Sequence, residues 1–331
     1  MIQFRTEVEL PEFKKKVSYR HHSLMMGSCF AENIGIYLQE RCLPIVINPF
    51  GILYNPFSVA NCLEMLMTGK IFTEDDLFHS NGLFHSFSHH SRFSGPDSGK
   101  VLERINMLAS EAATRLNSAS HLFITFGTSW VFEHKQSGHV VSNCHKLPAT
   151  LFNHNRLSVK QVTDTWIPLI ENIKRINPDL HVVFTVSPIR HLKDGAHENQ
   201  LSKSTLLLAI EGLISTFGNE LISYFPSYEI ILDELRDYRF YGADMTHLSE
   251  LSIEFIREKF IETILEQEAG LISNEAGKLL QALQHKPFNP YEEAYKSFLK
   301  TQFAKLEQLQ NKYPNVDFQK LYGKFHEKII N

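Results

Sequence analysis

Short apolar runs alternate along this chain with longer stretches in which apolar residues return every three or four positions. Leu24-Met25-Met26 is a short run ending at Gly27. Ile34, Leu38 and Cys42 then follow at i, i+4 and i+8, the rhythm of one helix face. Gly27-Ser28 is therefore expected on a strand-to-helix turn. Ile45-Val46-Ile47 leads into a loop at Asn48-Pro49-Phe50-Gly51, and Pro56 opens a helix through Met67.

Residues 77–87, with Asn81-Gly82 between two apolar runs, predict a hairpin with a type I′ turn. Residues 88–99 read as a loop, and a helix follows from about Lys100 to Asn117. Leu122–Phe126 reads as a buried strand ending at Gly127. Ser137-Gly138 predicts a second hairpin between Val131-Phe132 and Val140-Val141. A helix over Ser158–Ile176 stops before Pro178, because the residue preceding proline resists the helical region. Strand Val182–Val186, helix Gln200–Phe217, strand Glu229–Leu232, a helical turn near Asp233–Tyr238 and helix Leu251–Glu268 complete the series. Strands alternating with long helices predict an α/β fold whose parallel sheet is covered on both faces. Its strands are expected near 24–26, 122–126, 182–186 and 229–232.

Beyond about residue 268 the strand pattern stops. Tyr295, Phe298, Leu299, Phe303, Leu306 and Leu309 keep helical spacing. Residues 269–331 are expected as a helical extension to a main domain over 1–268, packing on it or on a second subunit and adding no strand to its sheet.

Composition narrows the function classes. The 331 residues carry a formal net charge of -4, without the basic excess of a nucleic-acid binder. No apolar run reaches the roughly 18 residues of a membrane span, and the N-terminus shows no stretch of signal-peptide type. Four cysteines in a chain this long make no disulfide framework, and their spacing fits no zinc pattern. The expectation is a cytoplasmic protein with no partner among membranes or nucleic acids. Neither G-x-x-x-x-G-K nor G-x-G-x-x-G occurs, so no nucleotide cofactor is implied.

A hydroxyl nucleophile needs a base in reach, an orienting partner for that base, and donors for the developing oxyanion. Ser28 stands where a strand gives way to a helix N-terminus, beyond the carboxyl end of a strand where ligands of parallel sheets bind; the same position suits a plain N-cap. Asp244-Met245-Thr246-His247 can put a carboxylate and an imidazole on one rim. Gly127-Thr128-Ser129-Trp130 marks another strand end.

Residues 27–31 read Gly-Ser-Cys-Phe-Ala, the signature of the GSCFA domain family, which is assigned to the SGNH (GDSL-like) hydrolase superfamily. The segments NPFGILYNP (48–56), TFGTSWVF (125–132), SNCHKLP (142–148), SPIRHLKDG (187–195), ENQLSKS (198–204) and DELRDYRFYGADMTHLS (233–249) resemble that family too, over about residues 20–265. The resemblance implies a flavodoxin-like three-layer α/β/α sandwich. It matches Ser28 to the superfamily's nucleophile and Asp244 and His247 to its D-x-x-H pair. Gly51 is the candidate for the glycine whose N–H joins that of Ser28 at the oxyanion. The superfamily's G-x-N-D segment is replaced by Gly127-Thr128-Ser129-Trp130, without the asparagine donor. Thr128 or Asn143 is the candidate substitute.

Arg190 and His191, after the strand end at Ser187-Pro188, are expected to face the same crevice, with Arg190 fit for an anionic group and Trp130 near the substrate. Asn199, Ser202 and Lys203 add to that wall. Cys29 is a rival nucleophile beside Ser28. His79, His85, His89 and His90 surround the first hairpin with no Asp or Glu between them and read as a solvated hairpin, not a metal site. Two functions stay open: an esterase or deacetylase acting on a small-molecule or carbohydrate ester without a cofactor, or a binding protein on a hydrolase fold.

Overall fold

The computed structural model describes residues 5–285, Pro287 and residues 293–330. Strand β1 (Ser23–Gly27) runs into helix α1 (Cys29–Glu40), and β2 (Ile45–Ile47) into α2 (Pro56–Met67). A hairpin of β3 (Phe78–Ser80) and β4 (Leu83–His85) precedes α3 (Ser98–Leu116) and β5 (His121–Phe126). Strands β6 (Trp130–His134), β7 (Val140–Val141) and β8 (Phe152–Arg156) follow, then α4 (Val159–Ile176), β9 (His181–Val186), α5 (Ala196–Phe217) and β10 (Ile222–Tyr224). The single turn α6 (Ser227–Glu229) passes into a π-helical turn, Ile230–Glu234. Helices α7 (Glu250–Ile264), α8 (Gln267–Gln284), α9 (Glu293–Lys312) and α10 (Gln319–Ile330) end the described chain.

Five strands form one parallel sheet in the order β10-β9-β5-β1-β2. Alternation along the strands divides the core. Leu24 and Met26, Leu122 and Ile124, and Val182 and Phe184 join one buried cluster with residues of α2, α3, α4 and α5. Met25, Phe123 and Val183 point the other way, into a second cluster with residues of α1, α7, α8 and α10. Helices thus cover both faces, in a three-layer α/β/α sandwich. Among the described residues, no helix is long and apolar enough to cross a membrane.

The caps explain the boundaries. Asn55, Asp97 and Ser158 each accept a backbone N–H at the start of α2, α3 and α4; losing such a cap costs about 1 kcal/mol. Asn81 and Gly82 both take positive φ, 51° and 76°, as a type I′ turn requires.

Two expectations are corrected. Glu229–Leu232 is not a strand: these residues lie in α6 and the π-helical turn, and the last sheet strand is Ile222–Tyr224. Both segments are short apolar runs, which periodicity alone cannot assign. Pro226 ends the true strand, and the following turn buries Ile230 and Ile231 in the second core. The histidine hairpin is not wholly solvated either. His85 and His89 are buried, His85 bonded to Ser94 and Ser80 and His89 to Ser86. The ring of His89 stacks 4.8 Å from Phe50, and burial lowers its pKa to about 3.

The C-terminal helices pack on the main body. Leu306, Leu309, Phe318, Leu321 and Phe325 share the second core with Ile34 and Leu38 of α1. The described part of the tail is mostly helical and adds no strand to the sheet; residues 286, 288–292 and 331 lie outside the described residues. An N-terminal strap closes the same side, where the Val17 N–H donates to Ile264 O (2.8 Å) and the Glu266 N–H to Val17 O (2.9 Å).

Candidate active site

The turn at Gly27-Ser28 is built from the sheet outward. Gly27 has φ +135°, and a Cβ placed there would lie 2.2 Å from Thr125 O; only glycine fits. The Gly27 N–H donates to Asn48 Oδ1 (2.9 Å), and Asn48 Nδ2 donates to Glu32 Oε2 (3.2 Å). Arg92 closes this support, pairing with Glu32 at 2.8 Å and donating to Asn48 O at 3.0 Å. Ser28 follows as the N-cap of α1, its Oγ accepting the Phe30 N–H at 3.3 Å. The capping role is thus present, on the floor of a cleft of about 580 Å³ that Ser28 lines.

The opposite rim is the loop between the Tyr241–Leu248 bridge partners. Asp244 organises it. Its Oδ1 accepts the N–H groups of Thr246 (3.0 Å) and His247 (2.9 Å), and its Oδ2 accepts from His247 Nδ1 at 2.5 Å. These bonds, that to the imidazole first, hold the carboxyl down at about 2. Donation from Nδ1 leaves His247 Nε2 as the basic nitrogen. His247 also lines the cleft, but its side chain is 64% exposed, and no hydrogen bond joins it to Ser28 among the described residues.

The structure brings Ser28, Thr128, Trp130, Asn143, Arg190, His191 and His247 to one cleft, together with Cys29. Gly51 does not belong there. It does not line the cleft; its N–H donates to Asn48 O at 2.7 Å, and its positive φ (+84°) serves the tight turn against His90. The expectation of Gly51 as an oxyanion donor is therefore withdrawn. The Ser28 N–H is likewise engaged, with Thr125 O at 3.3 Å. Thr128 Oγ1 accepts the Trp130 N–H (3.1 Å) and shares a proton with Ser202 Oγ (3.0 Å). Asn143 is better placed: its Oδ1 accepts the His145 N–H (2.7 Å), which leaves the amide nitrogen as its free end.

Sequence reasoning missed two parts. One is β8, which pairs with the expected β6-β7 hairpin to complete a small antiparallel sheet whose Phe132, Phe152 and His154 wall the cleft beside Trp130. The β8 sequence Phe-Asn-His-Asn-Arg has little apolar character to announce a strand. The other is the role of Lys203: expected with Asn199 and Ser202 on the cleft wall, all three are instead buried behind it on α5, and Lys203 Nζ donates to Gly127 O and Ser187 O, both at 2.6 Å. It ties the ends of β5 and β9 together. Burial, with Arg190 nearby, lowers its pKa to about 7, and a neutral amine still has the two N–H groups these carbonyls need. Among the described residues, no three His, Cys, Asp or Glu side chains group to hold a metal.

No curated protein matches this sequence. A solved structure similar to it is an acetyl xylan esterase (Est2A) from the rumen bacterium Butyrivibrio proteoclasticus, at 10% identity and a TM-score of 0.36, over 74% of this chain and 63% of that one. The chain thus spans less than two thirds of that protein, a likeness too distant to say what this chain acts on. The model of the GSCFA family matches residues 22–260, and that of the GSCFA domain protein C-terminal domain matches residues 276–331. With the Gly27–Ala31 signature at the head of α1 and the family match running over most of its length, the chain belongs to the GSCFA family.

Proposed function

We propose that this protein is a serine hydrolase cleaving a carboxylic ester, with Ser28 as nucleophile, His247 as general base and Asp244 as its orienting partner. One observation carries the reading: Ser28 and His247 line the same cleft, and Asp244 holds His247 with the basic nitrogen unengaged. Attack forms a bond from Ser28 Oγ to the carbonyl carbon, and the hydroxyl proton passes to His247 Nε2. The carbonyl electron pair moves to oxygen and returns as the alcohol leaves, taking the proton from His247. Water then attacks the acyl-serine by the same route and releases the acid. Asp244 stabilises the imidazolium in both halves.

Trp130 and Phe132, with His154 stacked 4.3 Å from Phe132, form an aromatic wall suited to one face of a sugar ring. Arg190 makes no ion pair among the described residues, and its Nε is buried without a partner, which suits an anionic substituent. An acetylated carbohydrate that also carries an acidic group fits both.

A second reading has its own support. Ser28 Oγ is bonded to the Phe30 N–H and not to His247, as expected of a binding protein that keeps the fold without the reaction. A fluorophosphonate probe separates the two. The hydrolase reading expects labelling of the wild type and none of Ser28→Ala; an unlabelled wild type supports the binding protein.

A further inference from the structure

Oxyanion donors must come from near Ser28, and most backbone N–H groups there are already bonded. Gly27 pairs with Thr125 and Phe126 with Val186, so Ser28, Gly127 and Ser187 are neighbouring strand ends. The N–H groups of Gly127 and Thr128 both donate to Tyr54 O, at 2.7 and 2.9 Å. That of Ser187 donates to Phe126 O at 2.8 Å, and that of Leu53 to Gly27 O at 2.9 Å. With these N–H groups spent, the first turn of α1 at Cys29 and the side chains around the strand ends are the sources of a donor on this side of the cleft.

Resting on the hydrolase reading, we propose that His191 is a catalytic residue whose ring N–H donates to the oxyanion formed on the carbonyl that Ser28 attacks. His191 lies beyond β9 and folds back over β5. Its backbone N–H donates to the buried Asn199 Oδ1 at 2.9 Å, which fixes the bend. The ring meets Tyr54 edge to face, 5.6 Å between centroids, and Nε2 lies 3.2 Å from the point where a Cβ on Gly127 would stand. The register sets Phe126 beside Ser28, one strand spacing or about 4.8 Å away, and Gly127 is the next residue along that strand. An oxygen on a tetrahedral carbon bonded to Ser28 points across such a gap, where a donor is needed at about 2.7–3.1 Å.

The ring is free for this use. His191 lines the cleft, and neither ring nitrogen has a hydrogen-bond partner among the described residues. Burial, then the nearby Lys203 and His247, lower its pKa to about 4, so at neutral pH it is an uncharged imidazole with one N–H to give. Neutral imidazole acts as an electrophile in other enzymes in this way. Asn143, across the cleft, is the rival donor.

The test is p-nitrophenyl acetate hydrolysis by His191→Ala, His191→Gln, Asn143→Ala and Ser28→Ala, with phenylboronic acid as a tetrahedral mimic. The proposal expects kcat of His191→Ala to fall on the order of 10²–10³-fold with KM within about threefold. Boronate affinity should fall with kcat, and His191→Gln, which keeps an N–H donor, should recover at least about tenfold. Each variant's thermal melt checks that it folds; if His191→Ala does not, His191→Gln and His191→Phe are compared instead. A His191→Ala enzyme within threefold of wild-type kcat, beside an inactive Ser28→Ala, overturns the His191 assignment alone. An equal loss in His191→Gln and His191→Ala also overturns it, since a donor would be partly replaced. Activity retained in Ser28→Ala overturns the hydrolase reading, and this assignment with it.

Discussion

The floor and the rim of the cleft are built differently. The floor is the ends of β1, β5 and β9, where Ser28, Gly127 and Ser187 are buried or nearly so and Lys203 bridges two strand ends from within. The rim is the Asp244–His247 loop, more than half exposed at both side chains and held by its own short-range bonds. The proposed nucleophile is thus fixed by the sheet, and the proposed base only by its neighbour in sequence. Substitutions on the floor should disturb folding along with chemistry, and those on the rim chemistry alone.

The sharpest break in that contrast would come from the proposed reacting residues. Ser28→Ala and His247→Ala should each lower p-nitrophenyl acetate turnover by about 10⁴-fold or more. The His247→Ala melt should coincide with wild type. A His247→Ala protein that melts early would move this side chain from rim to scaffold. Next is Asp244→Asn, which keeps the shape of the loop but loses the charge that orients the imidazole. Its kcat should drop by up to about 10⁴-fold while the melting temperature holds. An unchanged kcat would show that His247 needs no partner.

Gly27→Ala tests the floor. The added methyl meets Thr125 O at a backbone φ that alanine rarely adopts. A loss of about 3 kcal/mol in chemical denaturation is expected; a stability within error of wild type would mean the strand ends can spread. The smallest effect is the pH response of Lys203. Its folded pKa of about 7 lies below its ordinary 10.5, so between those values the unfolded chain binds more protons and stability rises with pH. Each unit in that window contributes at most about 1.4 kcal/mol. Between pH 7 and 9 the wild-type denaturation midpoint should rise relative to that of Lys203→Met. Parallel midpoints would mean that Lys203 stays charged when buried.

The floor was also the more legible region. A strand end followed by glycine, serine and a helical stripe marks a turn by spacing alone, and the apolar runs of β1, β5 and β9 stood out because both faces of these strands are buried. Both hairpins were legible from turn chemistry. The run at 229–232 misled because a buried helical turn and a buried strand have the same composition. Gly51 misled because a glycine needed for a turn looks like one needed for an N–H. Lys203 was legible only as a residue near the cleft and not as a bridge, since the carbonyls it joins lie on strand ends far away in sequence. The burial of His85 and His89 rests on Phe50, Phe78 and Phe72, which come together only in the fold.

The shared second core also bears on synthesis. The helix that Ser28 caps is covered from behind by residues of α8 and α10. A ribosome that has delivered the chain only to Leu265 has made the whole sheet, but not the helices that close this face. The nascent protein therefore presents an apolar surface for as long as α8 to α10 take to emerge. In that interval it is a natural client for a chaperone.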